Sequence, residues 1–441
     1  MPRVNPRIVA PGVGIGTAAL TAAGCGTAIA AVCSIGVFQI ERLLGGLWSV
    51  AAVLVAGLCC GLLARALGRL CAVVPSGAGM LAYFSRGFGR AQGLAIAGPY
   101  LVLCLFLIGA EAVIVGVLIS RLLPLPPIIG GLLFVSGTWA MCRAGVRIGY
   151  RVQALATSAL VICLCGLALA ALVRVGLRGE LAARLVPVAP SVAHFVAGVG
   201  QALFLFMGFE LLTSQVEIAS SPRAVRRALG LSVVVLTAFY ALVSLGFSCL
   251  DHAPIGEAAR FIPQLAIAEQ TGSRVAILVV IALSLLASFT SVNGALLALS
   301  RFLYALAAQK MLPRRFGRIE PRSLVPREAL SALLALGLGA TLLAGVGGAF
   351  EPALLGAAVT VSLVYAALVW VRERPPFLEV TGRARWRRVS AYALGLGFVA
   401  LGVAVLVEAG QARSGALLLL TGTYGLVAVL LWMRQGAPRH G

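Results

Sequence analysis

Residues 201–222 read QALFLFMGFELLTSQVEIASSP. The first half is an apolar, membrane-type helix. In the middle Gly208 precedes Glu210, and Thr213, Ser214, Gln215 and Glu217 follow within about two helical turns. A carboxylate near the bilayer centre costs roughly 2.5–3.5 kcal/mol on insertion scales, so it faces protein or a water-filled cavity. Glycine beside it forms helix weakly and lets backbone approach a ligand. A helix that unwinds at this depth frees amides and carbonyls, which is tolerated only where they are buried in protein or line a cavity. Transporter binding sites are built this way. The stretch alone is also compatible with a kinked structural helix around a satisfied glutamate.

Composition sets the frame around it. Of 441 residues, 61% are hydrophobic and 11% charged, and the mean hydropathy is +1.03. Apolar runs of 18 or more residues recur from end to end, each a membrane-span candidate. The chain therefore reads as a polytopic all-α membrane protein in contact with the lipid bilayer. The net charge of +21 would suggest nucleic acid in a soluble protein. Here the charges lie in short loops between apolar spans, so they set orientation, and no nucleic-acid partner is implied. The ten cysteines fall mostly inside apolar runs without paired CxxC spacing, and the three histidines are scattered, so neither a metal site nor a disulfide framework is expected. No cofactor is implied. The basic start MPRVNPR is followed by an apolar run too long for a cleavable signal.

Twelve spans are expected, near 8–38, 46–70, 93–121, 125–142, 153–175, 191–217, 225–250, 273–307, 327–347, 352–372, 388–408 and 414–433. With the N-terminus cytoplasmic, 27 of the 35 basic residues fall on the inner side, which predicts an N-in/C-in, even-spanned topology. Spans one and six are both long and glycine-interrupted. Interruptions at corresponding positions of two halves point to an inverted repeat and its binding site. The expected layout is one transporter domain over 1–441: a first repeat over 8–175 with a broken first helix, a second over 191–372 with a broken sixth, and two peripheral helices over 388–433.

Residues 206–222 resemble the sixth-helix signature of the amino acid–polyamine–organocation permeases. Phe206, Gly208, Phe209, Glu210, Glu217 and Pro222 fall in register, and Ile218 replaces the second glutamate of that family's pair. Pro75–Gly79 with Tyr83, Arg86, Phe88 and Gly89 resembles the family's loop after helix two. Gly145–Arg147 with Arg151, Val152, Gln153 and Thr157 resembles the helix four to five connection, in the form seen in arginine/agmatine antiporters. Ser300, Arg301, Tyr304, Ala305 and Met311–Pro313 resemble the end of helix eight. The resemblance covers about 20–330. It implies a leucine-transporter-like 5+5 inverted repeat plus two peripheral helices, and a permease of the inner (plasma) membrane for amino acids or related amines, working by alternating access. The family's first-helix glycine motif is matched best by Cys25–Ile29, with Ala28 in place of its second glycine; Ser34–Phe38 is a second candidate.

The resemblance carries a candidate site with it. Gly24, Gly26 and Thr27 would present half-helix amides to a substrate carboxylate, and Phe206, Met207 and Gly208 would form the facing break. Glycine packing and plain core packing are the simpler readings of these positions. Glu210 is a candidate to pair with a basic substrate, to take a coupling proton or to brace the break. Glu217 is a further coupling candidate or an arginine partner. Glu111, in span three, is the other intramembrane acid and lies outside the family motif; it would carry a proton, meet a cationic group or tie helices. Ser288, Thr290, Ser291 and Asn293 on span eight could offer oxygens to sodium or join helices. Span five has no lysine, reading Thr157-Ser158-Ala159-Leu160, which favours exchange or a carboxylate proton carrier. A substrate-binding sensor remains an alternative function. A membrane-embedded enzyme is the weaker rival, because histidine and aspartate are scarce. Homo-oligomerisation stays open.

Overall fold

The computed structural model describes residues 14–250 apart from 187, then 262–270, 273–308, 310–346, 350–375, 377, 385–409 and isolated positions up to 424. The chain runs through α1 (Thr17–Ala28), α2 (Cys33–Leu44), α3 (Gly46–Val73), α4 (Met80–Gly87), α5 (Arg90–Ser120), α6 (Pro127–Arg143), α7 (Val146–Leu177) and the short α8 (Leu181–Leu185). The second half continues with α9 (Val192–Leu205), a 3₁₀ helix at Phe209–Gln215, α10 (Pro222–Ser248), α11 (Pro263–Gln270), α12 (Arg274–Ala308), α13 (Arg327–Val346), α14 (Phe350–Val371) and α15 (Arg385–Glu408).

Among the described residues, nine helical stretches are long and apolar enough to cross a membrane, or ten when α1 and α2 are taken as one span bent by 63°. The fourth expected span is α6, whose 17 residues rise about 25 Å. Most of the twelfth, 414–433, lies outside the described residues, as do 8–13 of the first. The first span, expected over 8–38 with a break at its glycines, differs in where it breaks and in how far it runs. It stops at Ala28, turns, and restarts at Cys33 to run on to Leu44. The segment between spans two and three, read as a loop, contains α4. Its Met80–Phe84 stretch is buried, because Leu81, Tyr83 and Phe84 insert into the bundle beside the 3₁₀ helix. Apolar residues on α7 such as Leu155, Ile162 and Leu177 point outward, as a lipid-facing span requires.

The two broken spans are laid against each other. α1 packs on α7, α10, α12 and the 3₁₀ helix. At its start, Ile15 N–H donates to the Ile218 carbonyl (2.9 Å) and Ser220 N–H donates to the Ile15 carbonyl (3.0 Å), a two-bond parallel bridge. α10 starts where the sequence signals it: Pro222 occupies the first turn, and the Ser221 hydroxyl accepts from Ala224 N–H (3.2 Å).

The second break turns on Gly208, whose φ of +114° is a conformation L side chains rarely adopt. A Cβ there would lie 3.0 Å from Thr27 Cγ2 and 3.1 Å from the Thr27 carbonyl. We expect Gly208→Ala to cost about 1–3 kcal/mol of stability and to lower the thermal unfolding midpoint of the detergent-purified protein. An unchanged midpoint would mean that the break does not depend on this conformation.

Candidate functional site

The first break frees backbone groups within an apolar span, and side chains from other helices close on them. Thr27 carbonyl accepts from Ser291 Oγ of α12 (3.1 Å), and Ala28 carbonyl accepts from Tyr240 Oη of α10 (2.8 Å) and Cys33 Sγ (3.3 Å). On the α2 side, Val32 N–H donates to Glu111 Oε1 of α5 (2.8 Å), and the Ala31 amide lies against the same carboxylate. Ser288 Oγ of α12 donates to Glu111 Oε2. Each group left unpaired at this depth would cost several kcal/mol, so these partners are the condition for breaking the helix here.

The second break is closed in the same manner. α9 ends at Leu205, and Phe206–Gly208 turn into the 3₁₀ helix. Gly208 N–H donates to both oxygens of Glu210 (3.0 and 3.1 Å). The Tyr100 hydroxyl of α5 donates to Glu210 Oε1, and the Tyr365 hydroxyl of α14 to Oε2 (2.9 Å). Glu210 is fully buried, and every donor to it is neutral.

A cavity of about 40 Å³, room for a few waters, lies between the two breaks. Thr27, Ala28, Ala30, Val32 and Cys33 line it from the first break, and Phe204, Met207, Gly208 and Leu211 from the second. Tyr100, Cys104, Leu107, Ile108 and Glu111 contribute from α5, and Ser291, Val292 and Ala295 from α12. No basic side chain lines it among the described residues.

Of the residues singled out from the sequence, Thr27, Met207, Gly208, Glu111 and Ser291 meet at this cavity. Gly24 and Gly26 do not. Both lie inside helical α1, where a Cβ would strike Leu212 and Ser232 (2.7 Å each) in the first case and Thr157 and Gln153 in the second. They let α1 approach its neighbours closely, and the break falls at Ile29–Val32, from the last residue of the first motif candidate to just short of the second. Phe206 is buried behind the cavity with its ring 6.2 Å from that of Tyr240. Glu210 stands behind Tyr100. Ser288 serves Glu111, while Thr290 Oγ1 turns back to the Ala287 carbonyl (3.0 Å) and its own carbonyl accepts from Gln153 Nε2 (2.8 Å). Asn293 Nδ2 donates to Gln153 Oε1 (2.6 Å) and Asn293 Oδ1 accepts from Cys142 Sγ (3.2 Å), tying α12 to α7 and α6. Glu217 lies away from the cavity and accepts from Gly77 N–H (2.8 Å), pinning the turn before α4. No group of three or more His, Cys, Asp or Glu side chains suited to a metal occurs among the described residues.

Tyr100, Tyr240, Tyr365, Cys33, Leu107 and Ile108 were not singled out from the sequence. The tyrosines carried a usable signal, because a buried phenol requires a partner and Tyr100 and Tyr365 interrupt otherwise apolar runs. The aliphatic wall carried none, since nothing local distinguishes Leu107 from other leucines.

Two broken spans meeting at a buried mid-membrane cavity are the architecture of a secondary transporter. The amino acid permease family matches residues 20–373, and the chain belongs to that family of transporters. A search of curated proteins returned no match. Among solved structures, a mutant of the manganese transporter of Eremococcus coleocola superposes with a TM-score of 0.56 at 14% identity, over 98% of this chain and 96% of that one. A nucleobase–cation symport-1 family transporter, in a closed conformation with bromovinylhydantoin bound, gives 0.53 at 14% identity over 95% and 96%. At such identities these two speak to the shared fold.

Removing the carboxylate in Glu210→Ala strands Gly208 N–H and two phenols. We expect it to cost at least about 2 kcal/mol, with Glu210→Gln, which keeps one acceptor oxygen, costing less. Thermal unfolding of both variants checks this, and an alanine variant as stable as the parent would remove Glu210 as the brace.

Proposed function

We propose that the protein is a secondary active transporter of the inner membrane for amino acids or related amines, moving them by alternating access. The observation that carries this reading is the cavity where both broken spans meet, lined by Thr27, Met207, Gly208 and Ser291. Half-helix ends at one mid-membrane point are where transporters of this architecture hold substrate. The 5+5 inverted repeat over 8–175 and 191–372, the two peripheral helices over 388–433 and the twelve-span N-in/C-in topology belong to this proposal. The asymmetry of basic residues supports the orientation.

Coupling runs by exchange or by protons. The segment around Gly145–Thr157 that resembles arginine/agmatine antiporters supports exchange, as does the absence of lysine from α7. Glu111 is the coupling candidate that reaches the cavity, and Glu210 the one behind it. Glu217, which follows the 3₁₀ helix and accepts from Gly77 N–H on the turn before α4, holds structure and is a weaker candidate.

Purified protein in proteoliposomes is expected to take up a radiolabelled amino acid or amine in counterflow against its unlabelled form. No flux of any amino acid or amine under counterflow, a proton gradient or a sodium gradient would sink the transport reading and leave a substrate-binding sensor in its place. If a coupling proton rides on one of the two carboxylates, uptake by Glu111→Gln or Glu210→Gln loses its pH dependence. Retention of that dependence in both variants removes them from coupling.

A further inference from the structure

The amide ends that an anionic group would seek are already occupied by the chain's own carboxylates. A half-helix N-terminus facing a mid-membrane cavity attracts a carboxylate through its free amides and dipole. At the start of α2, Val32 N–H is bonded to Glu111 (2.8 Å) with the Ala31 amide beside it. The next three amides, of Cys33, Ser34 and Ile35, close onto the carbonyls of Ala30, Ala31 and Val32. At the second break Gly208 N–H is held by Glu210. A substrate carboxylate entering here would have to displace Glu111 or lie against it, like charge on like charge.

The same arrangement leaves a buried carboxyl group without a counter-ion. Glu111 is 1% exposed, its donors are Val32 N–H, the Ala31 amide and the Ser288 hydroxyl, and no ion pair forms with it among the described residues. A buried charge is costly unless it is paired, and the empty side of this carboxylate is the cavity. Around it the wall is largely hydrocarbon: Leu107 and Ile108 lie one turn before Glu111 on α5, and Phe204, Met207 and Val292 line the cavity from other elements. We infer that the cavity takes an amine lacking an α-carboxylate, its ammonium against Glu111 and its alkyl or aryl chain against that wall. Glu111 thus occupies the place of the substrate's own carboxylate and selects for its loss. This rests on the transport reading above and narrows its substrate class.

The test uses matched pairs that differ by one carboxylate: leucine against isoamylamine, and phenylalanine against phenethylamine. Each is assayed on the full-length protein by thermal shift and by counterflow in proteoliposomes. The amine of each pair is expected to bind at least about tenfold more tightly than its amino acid, and Glu111→Gln to weaken amine binding about 10- to 100-fold. Amino acids that bind as well as their amines, or better, overturn the inference and leave the transporter reading standing. Amine affinity unchanged in Glu111→Gln overturns the assigned contact. If neither member of either pair binds or exchanges, the inference fails; the transport reading falls with it only if the wider panel of amino acids and amines also gives no flux. The comparison within pairs is made on the parent protein and does not depend on the variant folding.

Discussion

Two buried carboxylates make this architecture possible. A helix broken at mid-membrane must find partners for the backbone groups it releases, because the hydrocarbon around it offers none. Here Glu111 takes the amides at the first break and Glu210 the amide at the second. Tyr240, Ser291 and Cys33 take the carbonyls of the first.

α5 is the strut that carries both arrangements. Tyr100 and Glu111 lie about three turns apart on one face, so one helix touches Glu210 through a phenol and the first break through a carboxylate. α12 approaches the first break from the other side through Ser288 and Ser291, and α14 reaches the second through Tyr365. A shift of α5 relative to α12 would have to break the Ser288–Glu111 bond, and a shift relative to α14 would strain the Tyr100–Glu210–Tyr365 chain. That gives the two breaks a shared mechanical link, of the kind an alternating transporter needs when one bundle rocks against another.

Much of this was legible in the chain. The apolar runs predicted an all-helical membrane protein, because a span's hydrophobicity is a local property that survives any packing. The second break was legible too: Gly208 and Glu210 stand in an apolar run where each is expensive, and the motif around them is in register with the family. The first break was harder to read. Its glycines, Gly24 and Gly26, sit in regular helix against Leu212, Ser232, Thr157 and Gln153. The chain actually turns at Ile29–Val32, a run of aliphatic residues with no local signal for a break. The partners that satisfy it there lie far along the chain, Glu111 almost eighty positions away and Tyr240 and Ser291 more than two hundred.

By itself, then, the sequence determined the class of protein, its all-helical membrane character, the second break and the family. These depend on local composition, on the conformational freedom of one glycine and on the cost of placing a carboxylate in hydrocarbon. Only the tertiary structure decided where the first span breaks, which of the candidate residues reach the cavity, and what the two acids do. Those answers depend on which side chain supplies a hydrogen bond across the bundle, and hydrogen-bond partners so far apart along the chain leave no trace in the residues next to either one.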